Sequence, residues 1–212
     1  MNKHKICHNN YMKSIESICI FGDSTAWGAW DFEKGGWVNR LWLHVGKRNE
    51  NYVKIYNQSI SGGTTETILA RFENEAKIRN ADAIIFQTGG NDAAYEHTPG
   101  NYLVQPEKFK ENIEEIIKRA KNITENIIFM DLKNCDEPKT TPVSWIDIYY
   151  TNDNIKKYSD IMKEVCEKNN VPFLDIGLLE NSDFDDGLHP NASGHEKIFE
   201  KVKEFLISKK WI

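Results

Sequence analysis

Five short runs rich in Ile, Val and Phe constrain this chain more than any other feature of it. They fall at 18–21, 53–56, 83–86, 127–130 and 171–174. Each is short and rich in Ile, Val or Phe, as expected for a parallel strand covered on both faces. Amphipathic stretches lie between and after the runs. Ile68, Leu69, Phe72 and Ala76 recur at helical spacing, as do Phe109, Ile113, Ile116, Ile117 and Ala120 behind Pro106, a residue suited to a helix's first turn. Ile155, Tyr158, Met162, Val165 and Cys166 form a third stripe, and Ile198, Val202, Phe205 and Leu206 a fourth. A further helix is expected over 37–47. Strands alternating with helices imply βαβ units, a parallel sheet and an α/β/α sandwich.

At 212 residues and 40% hydrophobic content, the chain suffices for one domain with a sizeable core. The net charge of -5 and the scatter of Lys and Arg argue against a nucleic-acid partner. No apolar run approaches the roughly 20 residues of a membrane-spanning helix. The segment 1–13 is polar and basic and lacks the apolar centre of a secretory signal, which points to the cytoplasm. Cys7, Cys19, Cys135 and Cys166 show no CxxC pair and no metal-ligand spacing, so they read as reduced, structural thiols.

In open parallel sheets, ligands bind outside the carboxyl ends of the strands. Three chemistry-bearing segments follow the first three strands directly: Gly22-Asp23-Ser24, Ser61-Gly62-Gly63 and Gly89-Gly90-Asn91-Asp92. A fourth, Asp186-Gly187-Leu188-His189-Pro190, precedes the last helix. The topology brings all four to one edge of the sheet. A serine hydroxyl is a weak nucleophile until a base takes its proton. His189 is suited to that role, because imidazole titrates near neutrality. Asp186, three residues earlier, would accept a hydrogen bond from one ring nitrogen and turn the other toward Ser24. The backbone N–H groups of Ser24 and Gly62 and the side-chain amide of Asn91 are available to an oxyanion. Taken singly, each segment has a plainer use. Ser24 and Asn91 are good helix caps, and the Gly pairs and Asp-Gly make ordinary turns. His195 competes as the base from inside the last helix, where it would otherwise face solvent or pack.

Together the segments resemble the GDSL/SGNH hydrolase family. Ile20-Phe21-Gly22-Asp23-Ser24 is similar to its first block, and Asn57-Gln58-Ser59-Ile60-Ser61-Gly62 to its second. Gly89-Gly90-Asn91-Asp92 matches its third, and Asp186-Gly187-Leu188-His189-Pro190 its last. The resemblance runs from about residue 18 to about residue 195. It implies a flavodoxin-like α/β/α sandwich with a five-stranded parallel sheet. It also implies a serine esterase or acylhydrolase that cleaves small-molecule carboxylic esters through an acyl-enzyme, with Ser24, His189 and Asp186 as triad and no metal or cofactor. Family activities include esterases, thioesterases, lysophospholipases, arylesterases and carbohydrate acetylesterases. Thr25 stands where the family often has leucine, and Ala26 breaks a Gly-x-Ser-x-Gly elbow. The chain then divides into a polar extension, 1–15, and one hydrolase domain, 16–212.

The segment 135–152, with Trp145, Tyr149 and Tyr150, follows the fourth strand and reads either as a wall over the pocket or as a packed surface loop. Trp27, Trp30 and Tyr95 follow the motifs closely and would line the acyl pocket or belong to the core. Two other functions use the same features: an acyltransferase on the same constellation, and a flavodoxin-like binding module without catalysis. Oligomeric state leaves no sign in the residues.

Overall fold

The computed structural model describes residues 14–46 and 52–212. The polar segment 1–13, Cys7 and the end of the expected helix at Lys47 lie outside the described residues. Five strands form one parallel sheet: β1 (Ser17–Gly22), β2 (Lys54–Asn57), β3 (Ala83–Gln87), β5 (Ile127–Met130) and β7 (Phe173–Leu174). Their order is β2-β1-β3-β5-β7, with β1 paired to β3 from Ile18↔Ala83 to Gly22↔Gln87.

The side-chain period of two divides the core into two layers. From β1, Ile18 and Ile20 point to one face. There they meet Trp37, Leu41 and Val45 of α2 (Gly36–Val45) and Ile198, Val202 and Leu206 of α7 (Ala192–Ser208). Cys19 and Phe21 point to the other, joined by Ile84, Phe86 and Phe129. That face is covered by α3 (Thr65–Leu69), α4 (Phe72–Ile78), α5 (Pro106–Ala120) and α6 (Asn152–Lys168). Each large side chain removed from water contributes about 1.5–3 kcal/mol, so filling both faces is what commits the chain to a sandwich.

The fold departs from the sequence expectations in three places. The stripe from Ile68 to Ala76 forms two helices instead of one, because Arg71 leaves helical backbone at φ -140° and restarts the next helix. Its guanidinium lies 5.6 Å over the Phe21 ring. The last strand is only Phe173–Leu174, since Pro172 has no N–H to give a ladder. A small antiparallel pair, β4 (Tyr95–Glu96) with β6 (Ile148–Tyr149), joins the segment after β3 to the segment after β5. No described helix is long and apolar enough to cross a membrane.

Candidate active site

The carboxyl ends of the central strands carry the polar segments. β1 ends at Gly22 and the chain turns at once into α1 (Ser24–Trp27). Asp23 is the cap of this single turn, its carboxylate accepting from the Thr25 N–H at 2.9 Å and from Gln87 Nε2 at 3.2 Å. Capping therefore falls to Asp23, and the Ser24 hydroxyl is left for another partner. Gly22 has to be glycine here, because an added Cβ would lie 2.6 Å from Ala26 Cβ and 2.7 Å from the Gln87 carbonyl oxygen.

That other partner is His189. Its Nε2 lies 2.9 Å from Ser24 Oγ, across 165 residues of chain. Its Nδ1 lies 2.7 Å from Asp186 Oδ2. The second carboxylate oxygen accepts the backbone N–H groups of Leu188 at 2.9 Å and His189 at 2.7 Å. Trp30 Nε1 also donates to Oδ2, at 3.1 Å. Burial opposes ionisation of Asp186, but the hydrogen bonds from His189 and Leu188 outweigh it and hold the carboxyl well below the usual carboxylate range. A carboxylate that stays ionised fixes the Nδ1 proton of His189, so Nε2 presents a lone pair to the serine O–H. The arrangement is able to lift a proton from Ser24 and return it.

Asn91 sits opposite, in the turn after β3, and caps no described helix. Its Nδ2 donates to the Gly63 carbonyl at 2.9 Å, and its Oδ1 accepts from the Tyr150 hydroxyl at 2.8 Å. Gly62, next to Gly63, has φ +75°, a backbone conformation glycine adopts without strain. A small cavity of about 20 Å³ beside Ser24 is lined by Asp23, Gly90, Asn91, Lys133 and Tyr150, among others. A larger groove, about 710 Å³, runs along α6 and the β7 edge and touches none of Ser24, His189 and Asp186.

His195 is not part of this group. It is fully buried, with Nδ1 accepting the Trp37 N–H at 3.2 Å and Nε2 donating to the Ala29 carbonyl at 3.0 Å. It pins α7 to the two segments after β1. Tyr95 lies in β4, paired with Tyr149 of β6, and packs on Tyr102, ring centroids 5.1 Å apart; it is not among the residues that line the cavity beside Ser24. Trp145 does reach the site, stacked 5.9 Å from the His189 ring, and Trp30 meets the same ring edge-on at 5.8 Å. Trp27 packs against Trp30 at 6.4 Å and is half exposed rather than core. Segment 135–152 is thus a wall beside His189. The sequence marks Tyr150 only as a member of that segment, and Lys133 not at all. Tyr150 reaches Asn91, and Lys133 donates from Nζ to the Leu188 carbonyl at 2.6 Å, tying the loop of Asp186 and His189 to the segment after β5. Desolvation pushes the Lys133 pKa down, against the opposing pull of Asp23 and Asp186.

A profile of the GDSL-like Lipase/Acylhydrolase family matches residues 20–197. The chain is 23% identical over 205 residues to GDSL esterase/lipase WDL1 of Oryza sativa subsp. japonica, covering 91% of this chain and 78% of that protein. It is 24% identical over 206 residues to an arylesterase of Vibrio mimicus, covering 95% and 93%. The fold is similar to that of a lipase/acylhydrolase from Enterococcus faecalis, with a TM-score of 0.75 at 21% identity over 92% of this chain and 97% of that one. It is also similar to that of the acetylxylan esterase Axe2 from Geobacillus stearothermophilus, with a TM-score of 0.71 at 19% identity over 92% and 94%. The profile begins inside the first strand and ends in the last helix, enclosing every polar segment gathered at the sheet edge, and on that footing the chain belongs to the GDSL-like lipase/acylhydrolase family.

Proposed function

We propose that the protein hydrolyses carboxylic esters through an acyl-enzyme on Ser24. The observation that carries this reading is the continuous chain of hydrogen bonds from Ser24 Oγ through His189 to Asp186, at 2.9 and 2.7 Å. In the first half-reaction Oγ bonds to the ester carbonyl carbon while its proton passes to His189 Nε2. The tetrahedral intermediate collapses, the bond to the alcohol oxygen breaks, and His189 returns the proton to that alcohol. In the second half, water attacks the acyl-serine, giving its proton to His189, and the acid leaves as Ser24 recovers the proton. Asp186 stays ionised throughout and stabilises the imidazolium. The N–H groups of Ser24 and Gly62 and the Asn91 amide hold the negative oxygen.

The leaving alcohol departs from the side of His189, which Trp30 and Trp145 border. Trp145 is 52% exposed and Phe32 85%, and Phe32 stacks on Trp30 at 6.1 Å. Flat aromatic faces favour an alcohol with a ring of its own, an aryl or sugar ester over an aliphatic one. Turnover of p-nitrophenyl esters from acetate to palmitate, with acetylated sugars alongside, tests the reading. Hydrolysis is expected, lost in His189→Asn and kept in His195→Gln. Absence of turnover on the whole series, or loss with His195→Gln alone, contradicts it.

A further inference from the structure

The Asn91 carboxamide is gripped at both ends. A carbonyl oxygen only accepts, so the Gly63 contact requires the nitrogen of the amide on that side. The oxygen of the amide then faces Tyr150, whose hydroxyl must be the donor. One of the two amide N–H bonds is committed to Gly63, and the second is the one offered to an oxyanion formed on Ser24.

Tyr150 comes from the segment after β5, 59 residues from Asn91. Its own backbone is fixed, with its N–H donating to the Thr140 carbonyl at 2.8 Å and its carbonyl accepting from Thr140 Oγ1 at 2.8 Å. β6 ends one residue before Tyr150 and pairs with β4, which begins four residues after Asn91. The two segments are thus clamped to each other next to the point where the hydroxyl meets the amide. The tyrosine is buried, and desolvation, followed by the charges of Asp23 and Cys135, pushes its hydroxyl pKa up, so it remains a donor across the pH range of ester assays.

We infer that Tyr150 is a positioning residue for ester hydrolysis: its hydroxyl locks the Asn91 carboxamide in the orientation that keeps one N–H on Gly63 and turns the other toward the oxyanion. The inference rests on the reading of Asn91 as an oxyanion donor. Without the hydroxyl, the amide oxygen of the partly buried Asn91 would lose its protein partner, and nothing would hold the carboxamide against rotation. The wall that borders His189 thereby also sets the opposite side of the site.

The test is Tyr150→Phe made in two backgrounds, wild type and Asn91→Ala. Phenylalanine keeps the buried ring and removes only the donor. In the wild-type background kcat should fall about tenfold, less than the 10²–10³ expected when a donor is lost outright, with KM unchanged. In the Asn91→Ala background the same substitution should cost nothing further, because the residue it positions is gone. An unchanged kcat in Tyr150→Phe, or equal losses in both backgrounds, overturns the positioning role while leaving Asn91 a donor. Normal turnover in Asn91→Ala alone instead overturns the oxyanion reading itself, and the role of Tyr150 with it.

Discussion

His195 makes the stability of this protein depend on pH in a way that can be worked from its surroundings. The Trp37 N–H can only donate to the ring and the Ala29 carbonyl can only accept from it, so Nδ1 is bare and Nε2 carries the hydrogen. A second proton would go to Nδ1 and face an N–H. Burial is the largest influence, opposed by the Ala29 hydrogen bond and Asp31 and reinforced by Arg40 and Lys133. It takes the imidazole from its ordinary 6.5 to about 4. Above pH 6.5 the ring is neutral in folded and unfolded chains, and the effect is absent. Between 6.5 and 4 only the unfolded chain takes up the proton, so stability falls as pH falls. Below 4 the loss is complete at about 3 kcal/mol, from about 1.4 kcal/mol per pH unit. The assay is urea unfolding at pH 7, 6, 5 and 4 for wild type and His195→Gln, which cannot titrate. Other groups titrate alike in both chains, so the stability advantage of the wild type should shrink by about 3 kcal/mol across the series. Parallel curves would show that burial does not hold the His195 ring neutral in the folded chain.

Two further perturbations bear on the site. Asn91→Ala should lower kcat by about 10²–10³ with KM nearly unchanged, since its bond to the oxyanion forms mainly in the transition state; normal kcat with a lowered melting midpoint would make Asn91 structural only. Gly22→Ala places a methyl 2.6 Å from Ala26 Cβ. It should cost about 1–3 kcal/mol in urea unfolding and reduce turnover, because the same turn carries Ser24, whereas a variant as stable and active as wild type would show that the turn yields freely.

Much of this architecture is legible in the order of the amino acids, for reasons visible in particular residues. The runs 18–21, 83–86 and 127–130 are buried on both faces, so their apolar character is unbroken and their ends nearly right. Where backbone geometry decides, the signal fails. Ala70 and Arg71 are both good helix formers, and nothing local announces the break between α3 and α4. β4 and β6 are two residues each and exist only because two distant segments meet. In the site, residue type and order bring forward Ser24, His189, Asp186, Gly62 and Asn91. They do not reveal the role of Tyr150, whose bond spans 59 residues, nor that of Lys133, because a lone lysine after a strand reads as solvated. The burial of His195 does leave a trace: Ile198 and Val202 lie three and seven residues on, so it shares their helix face.

Ester hydrolysis as proposed requires Ser24 to be a nucleophile activated by His189. Incubating the protein with a fluorophosphonate and measuring intact mass, followed by peptide mapping, puts that requirement to the test. One phosphonyl group should add to Ser24, with fluoride leaving, and neither labelling nor ester turnover should survive in Ser24→Ala. Labelling at another residue, or labelling and turnover that persist in Ser24→Ala, would contradict the claim.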